Sequence, residues 1–239
     1  MTVMGANWIF VLPMAFLAGI VLGYIYYHLI IRHIYSKENF SVNIIIASVA
    51  LAALGENAYL NLAGGEALRQ PFRFSGGLEM IGVVLTFQTI FTVFVAVLLM
   101  VILSLIMSKT KLGQVIRAVS QQPTASQLMG INVQKSFATA LMLYGSIAAI
   151  SGVLVTGTSQ IFPSVGYDST VKALVILIVA GLGNLRAGIF MAFALGFLEM
   201  GVNYVLGARY GFPAMLAFVI IVLLFKPNGF FGKEQITRV

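Results

Sequence analysis

Residues able to do chemistry are scarce in this chain. Among 239 residues there are seven acids, two histidines and no cysteine. Two of the acids, Glu56 and Glu199, stand deep inside apolar runs, each with an asparagine close by, Asn57 and Asn203. A carboxylate at such depth in a bilayer costs about 3 kcal/mol or more, so it faces protein, faces a water-filled cavity or takes a proton. Two roles are open: one of them meets the ammonium of an amino-acid solute along a pathway, or both hydrogen-bond across helices and fix packing. Asp168 and Lys172 are four apart with the acid first, the favoured order for an ion pair on a helix. Their mutual neutralisation would let a short apolar helix lengthen by a turn. His28 and His33 have no carboxylate clustered with them, and without cysteine no thiolate zinc site exists, so no metal site is expected. There is no HExxH, no phosphate-binding GxxxxGK[ST] and no GxSxG. Gly181-Leu-Gly-Asn-Leu-Arg-Ala-Gly188 has one residue too many before its last glycine and follows an apolar run, so it reads as a turn. No nucleophile, acid and base can be assembled. The chain is expected to have no catalytic residues and no cofactor, and not to be an enzyme.

The elements that carry these residues follow from composition. Sixty per cent of the chain is hydrophobic, 9% is charged and the mean hydropathy is +1.00. Soluble domains carry about a quarter charged residues, so the bilayer must be the solvent. The net charge of +7 does not point to nucleic acid, because the Lys and Arg residues are scattered in ones and twos between apolar runs. A hydrocarbon core of about 30 Å needs about 20 apolar helical residues. Runs of that length are Trp8 to Ile31, Val42 to Leu62, Val83 to Ile106, Ser136 to Thr156 and Ala187 to Leu206. Val171 to Leu182 and Phe212 to Phe225 reach only about 18 and 21 Å. They are either broken helices or helices extended by their polar flanks. The fold expected is all-α, a single polytopic transmembrane domain over residues 1–239 with about seven membrane segments.

Charge sets the orientation. With the tail after Phe225 in the cytoplasm, Arg32, Lys37, Lys109, Lys111, Arg117, Lys135, Arg186, Lys226, Lys233 and Arg238 share that side. Arg69, Arg73, Lys172 and Arg209 lie on the other, as the bias of cytoplasmic loops toward Lys and Arg requires. No secretory signal is visible, since the start carries no charged region and the first apolar run is too long. The first span would therefore be retained.

Small residues at Gly19 and Gly23, at Gly145 and Ala149, and at Gly188, Ala192 and Gly196 form rows that let helices approach closely. The longest polar stretch runs from Ser108 to Lys135. Within it Lys111-Leu-Gly-Gln-Val-Ile-Arg-Ala118 predicts an interfacial helix. Thr124, placed as an N-cap, then starts a helical turn or two over Ala125-Ser-Gln-Leu-Met129, with Gly130 as its C-terminal cap.

These segments, together with Gly181 to Gly188 and Leu224-Phe-Lys-Pro-Asn-Gly-Phe-Phe-Gly232, resemble the permease subunits of branched-chain amino acid ABC importers in order and spacing. The resemblance runs from about Trp8 to Gly232. It implies transport of a branched-chain amino acid or related small polar solute across the cell (inner) membrane by alternating access. It also implies two ATP-binding cassette subunits that hydrolyse the ATP, a second permease subunit, the same or homologous, and an external or periplasmic solute-binding protein. Ala125, Leu128, Met129 and Gly130 would couple to the ATPase, and Gly181, Gly183, Asn184 and Gly188 would form the family's loop. Two departures stand out. The family has an additional amino-terminal region with an Asn-Phe-Ala-His-Gly-like motif that nothing here matches, so the chain is read as shortened or as having lost its start. Where the family has Gln-Asn, this chain has Glu56-Asn57, which makes Glu56 the better pathway candidate, while an acid at the position of Glu199 is usual. The other class of function compatible with the residues is an ion-coupled secondary transporter or channel using Glu56 or Glu199.

Overall fold

The computed structural model describes residues 8–35, 40–66, 74, 76–80, 83–181 and 185–232. Lys37, Arg69, Arg73, Gly183, Asn184, Lys233 and Arg238 lie outside them. Two compact units result, Met1–Pro163 and Ser164–Val239.

In the first unit α1 (Trp8–Tyr26) continues through one π-helical turn (Tyr27–Ile31) into α2 (Arg32–Ile34), and α3 (Phe40–Ala63) follows. An antiparallel ribbon of β1 (Gly77–Met80) and β2 (Val83–Thr86) pairs Leu78 with Leu85. Then come α4 (Phe87–Lys109), α5 (Lys111–Gln121), α6 (Pro123–Leu128) and α7 (Val133–Thr158). The ribbon corrects the start of the third span, expected at Val83. Val83 and Val84 are β-branched and stay extended, and the helix begins only after Thr86, whose hydroxyl accepts from the Thr89 N–H at 3.4 Å.

The core of this unit is the crossing of α1 with α7. Gly19 and Gly23 on one helix face Gly145 and Leu141 on the other with backbone against backbone. A Cβ at Gly145 would stand 2.5 Å from the Gly19 carbonyl oxygen. Toward one end of the crossing Tyr27, Ile30, Ile31 and Ala138 pack together, and toward the other Val95, Ile150 and Leu154. The first half of α3 joins them through Ile44, Ala47 and Leu51 and through a 2.6 Å hydrogen bond between the Tyr26 and Ser48 hydroxyls.

The second unit is α8 (Val165–Ala180), α9 (Leu185–Leu206) and α10 (Gly211–Phe225) around Val175, Val179, Leu195, Met215 and Val219. The first short apolar segment is lengthened by its polar flank, starting at Val165, so that its 16 residues span about 24 Å. The 15 residues of α10 span about 22 Å. After α10 the chain turns back onto the end of α8. The Phe230 and Phe231 N–H groups donate to the carbonyls of Val179 and Ala180 at 2.8 and 3.2 Å, satisfying acceptors that a helix end leaves open. Glycine is required there: Gly181 (φ +90°) and Gly229 (φ +79°) are left-handed, and a Cβ on Gly229 would stand 2.6 Å from both Gly181 N and the Ile178 carbonyl oxygen.

Among the described residues five helices are long and apolar enough to cross a membrane: Phe10–Ile34, Val42–Leu62, Phe87–Lys109, Val133–Thr158 and Ala187–Leu206. Gly211–Phe225 is a shorter apolar helix.

Candidate functional site

In the second unit the structure brings together two residues that sequence spacing held apart. Glu199 lies seven residues before the end of α9, and Lys172 sits midway along α8, seven residues from its start. Lys172 Nζ donates to Glu199 Oε1 at 2.6 Å. This corrects the expected pairing of Lys172 with Asp168. Asp168 lies in the exposed first turn of α8, whereas Glu199 reaches across from the packed neighbour and is only 16% exposed. A partly buried carboxylate gains more from a counter-ion than a solvated one does. One turn beyond Glu199, the side-chain Oδ1 of Asn203 is buried without a hydrogen-bond partner, lodged against Gly211 at the start of α10. The 27-residue separation of the pair has no local periodicity, which is why sequence spacing missed it. Its one signal was a lysine inside a segment that the structure makes helical.

Glu56 is treated differently. It is exposed on the second half of α3, and among the described residues it has no ion-pair partner. Asn57 does not reach it: the Asn57 amide donates to the Ala53 carbonyl at 2.8 Å, and the Asn61 amide to the Asn57 carbonyl at 2.8 Å. The structure does not bring Glu56 and Asn57 together with Glu199 and Asn203, which belong to the other unit.

The connection between α4 and α7 is built from strong caps. Thr110 accepts from the Gly113 N–H at 3.2 Å and starts α5, whose buried residues Gly113, Ile116 and Val119 recur every three positions. Its polar face holds Lys111, Gln114 and Arg117, and the Arg117 guanidinium donates to the Met107 carbonyl. Pro123 occupies the first position of α6, where its fixed φ fits and its missing N–H is no loss. Thr124 is therefore inside the helix, and the N-cap is Gln122. Gly130 (φ +82°) ends it, with the Ile131 N–H on the Ser126 carbonyl at 3.0 Å. Asn132 then caps α7 by accepting from the Lys135 N–H at 3.0 Å. Of the residues expected to couple to an ATPase, Ala125, Leu128, Met129 and Gly130 are all exposed, Leu128 at 85% and Met129 at 82%. Ser126 is buried. In the glycine loop, Gly181 is held by the turn after α10, and Gly188 lies in the first turn of α9 with open space around it.

A predominantly helical chain with five helices, among the described residues, long and apolar enough to cross a membrane is that of a polytopic membrane protein. The family described as "Branched-chain amino acid transport system / permease component" matches residues 1–225, and the chain belongs to that family. Relatives include the high-affinity branched-chain amino acid transport system permease protein BraD of Pseudomonas aeruginosa, 28% identical over 165 residues, 69% of this chain and 54% of BraD. The probable branched-chain amino acid transport permease protein LivH of Methanocaldococcus jannaschii is 28% identical over 148 residues, 59% of this chain and 47% of that protein. The LivH permease protein of Escherichia coli K12 is 25% identical over 146 residues, 61% of this chain and 47% of its own. The chain spans about half the length of the curated relatives it matches. No solved structure matches it.

Proposed function

We propose that this chain is the transmembrane permease subunit of an ATP-binding cassette importer for branched-chain amino acids or a related small polar solute. On this reading residues 1–239 act as a single permease domain in the cell (inner) membrane, with the carboxyl terminus in the cytoplasm. A second permease subunit, two ATP-binding subunits that hydrolyse the nucleotide and an external solute-binding protein complete the machine. The observation that carries it is the α5–α6 connection: a short helix, started by Pro123 and ended at Gly130, holds Leu128 and Met129 out as apolar anchors, with Ala125 a turn before them. Anchors at about i, i+3 and i+4 suit insertion into a groove on a partner, and the short link from Gly130 to the Asn132 cap would let a push on α6 pass to α7. Glu56 and Asn57 on α3, and Glu199 and Asn203 on α9, are the pathway candidates. The loop of Gly181, Gly183, Asn184 and Gly188 would join α8 to α9 on the cytoplasmic side.

The test is leucine uptake into vesicles carrying the assembled complex. Uptake should stop when ATP is removed and survive collapse of the ion gradients. The opposite pattern would establish an ion-coupled carrier instead.

A further inference from the structure

A groove of about 420 Å³ lies along the first turns of α4, lined by Phe74, Phe87, Ile90, Phe91 and Phe94. From Phe87 to Phe94 it follows the helix for about 11 Å. Its walls are fixed. Phe74 and Phe91 meet edge to face at 5.2 Å between ring centres, and Trp8 of α1, only 9% exposed, backs them at 6.0 and 5.0 Å. The Phe74 N–H donates to Gln88 Oε1 at 3.4 Å, and the Phe87 N–H to the Gly76 carbonyl at 3.2 Å. Gly76 (φ +100°) lets the chain before the ribbon lie on the Phe87 ring, where a Cβ would stand 3.2 Å away.

The chemistry of the lining selects the occupant. Sites for small polar solutes combine apolar walls with a few placed polar groups, whereas all five side chains here are hydrocarbon. Helices that meet in a bilayer do so through small residues, as Gly19 and Gly23 meet Gly145 in this same unit. Phe87, Ile90, Phe91 and Phe94 include none and would hold a neighbouring backbone off. The rim is open: Phe94 is 66% exposed, and Val97 and Val101 continue the exposed apolar face deeper along α4. With α4 starting at the external side, as the charge bias orients it, the groove lies just inside the outer membrane–water boundary, the level at which tryptophan gathers.

We propose that this groove binds an acyl chain of an outer-leaflet phospholipid, seated on Phe74 and Phe91 and held at the rim by Phe94. The site requires that the chain span a bilayer and is independent of the solute carried. A seated chain would tie together α1, α4 and the segment before the β1–β2 ribbon, because Trp8, Phe91 and Phe74 come from those three places. The competing occupant is a helix of a second copy of this chain.

The experiment uses the full chain in maltoside micelles, titrated with phosphatidylcholine brominated near the carbonyl end of its acyl chains. Bromine quenches tryptophan only at short range, Trp8 is the one tryptophan, and the neutral headgroup keeps the +7 charge of the chain out of the result. Quenching should saturate with added lipid rather than rise in proportion to it. Phe94→Ala, which removes the exposed rim ring, should raise the half-quenching concentration about tenfold. Ile90→Ala should act in the same direction, and Val101→Ala, two turns deeper, should leave the titration unchanged. An unshifted emission maximum before lipid is added shows that the Trp8–Phe91 contact survives each substitution. No quenching, quenching without saturation, or equal titrations for the unsubstituted chain and both groove variants would overturn the proposal. So would a Phe94→Cys chain that joins a second copy through a disulfide, since the groove would then belong to a partner helix.

Discussion

Replacing Gly145 by alanine tests whether the α1–α7 crossing holds the first unit together. The new methyl would stand 2.5 Å from the Gly19 carbonyl oxygen and 3.3 Å from Gly23 N and Cα. Both neighbours are backbone, so neither can rotate aside and the helices must part by about 1 Å, forfeiting a quarter to a half of each close contact along the seam. Overpacking of this kind costs about 1–3 kcal/mol, and the upper end applies where nothing flexible yields. Alanine returns about 1 kcal/mol of helix propensity, leaving a net loss of about 2 kcal/mol. Gly152, two turns on in the same helix, has nothing within 4 Å of its would-be Cβ, so Gly152→Ala should keep only the gain. Two identical substitutions in one helix are thus expected to differ by about 3 kcal/mol. Trp8 supplies the readout, as the one tryptophan in the chain, packed against Phe91 at 5.0 Å between ring centres. Its emission, followed while sodium dodecyl sulphate is titrated into mixed micelles, should shift at a lower detergent fraction for Gly145→Ala and at the same or a higher one for Gly152→Ala. Equal midpoints for the two variants would refute the close crossing.

Gly181→Ala combines a left-handed backbone with a methyl 2.6 Å from Gly232 Cα. It should release the turn after α10, seen as at least tenfold faster amide exchange at Phe230 and Phe231. Ala125→Asp and Gly130→Val should each weaken copurification with the ATP-binding subunit about tenfold, the first by putting a charge among the anchors and the second through strain at φ +82°. Unchanged assembly and transport would mean that α6 only covers the membrane surface. Single cysteines at Ser120 and Ser159 should react with an impermeant thiol reagent from opposite faces, Ser120 from the cytoplasm, and labelling of Ser120 outside intact cells would reverse the topology. Glu56→Gln keeps shape while removing charge, so a pathway role predicts an altered uptake rate or solute preference, and identical values for both would make the residue structural.

What could be seen in the sequence was whatever a single helix determines. Apolar run length located α3, α7 and α9 to within about three residues and α1 together with the π-helical turn that continues it, and the cap at Gly130 followed from glycine's freedom at positive φ. What needed two elements at once was hidden. The rows at Gly19, Gly23 and Gly145 were visible as rows, but only the fold shows that they face each other, while Gly188 and Gly196 have open space about them. The β1–β2 ribbon was masked because Val83 to Leu85 is as apolar as the helix it precedes, and hydropathy does not separate the two. Lys172 was matched to the nearest acid because i,i+4 is the only pairing a lone helix offers. Its real partner comes from a neighbouring helix that tertiary packing lays alongside.

The two intramembrane acids show why depth alone does not assign a role. Both face the same desolvation cost, and the fold answers it in one case only. Glu199 is given a cation on an adjacent helix at 2.6 Å. Exchanging that carboxylate for a neutral group would strand Lys172 in turn, so the pair behaves as one unit and neither member is free to act alone. Glu56 stands exposed on α3 among residues whose amides turn back on their own helix, with no cation in reach among the described residues. Its charge must be met from beyond α3, by another protein surface, by water or by a solute ammonium.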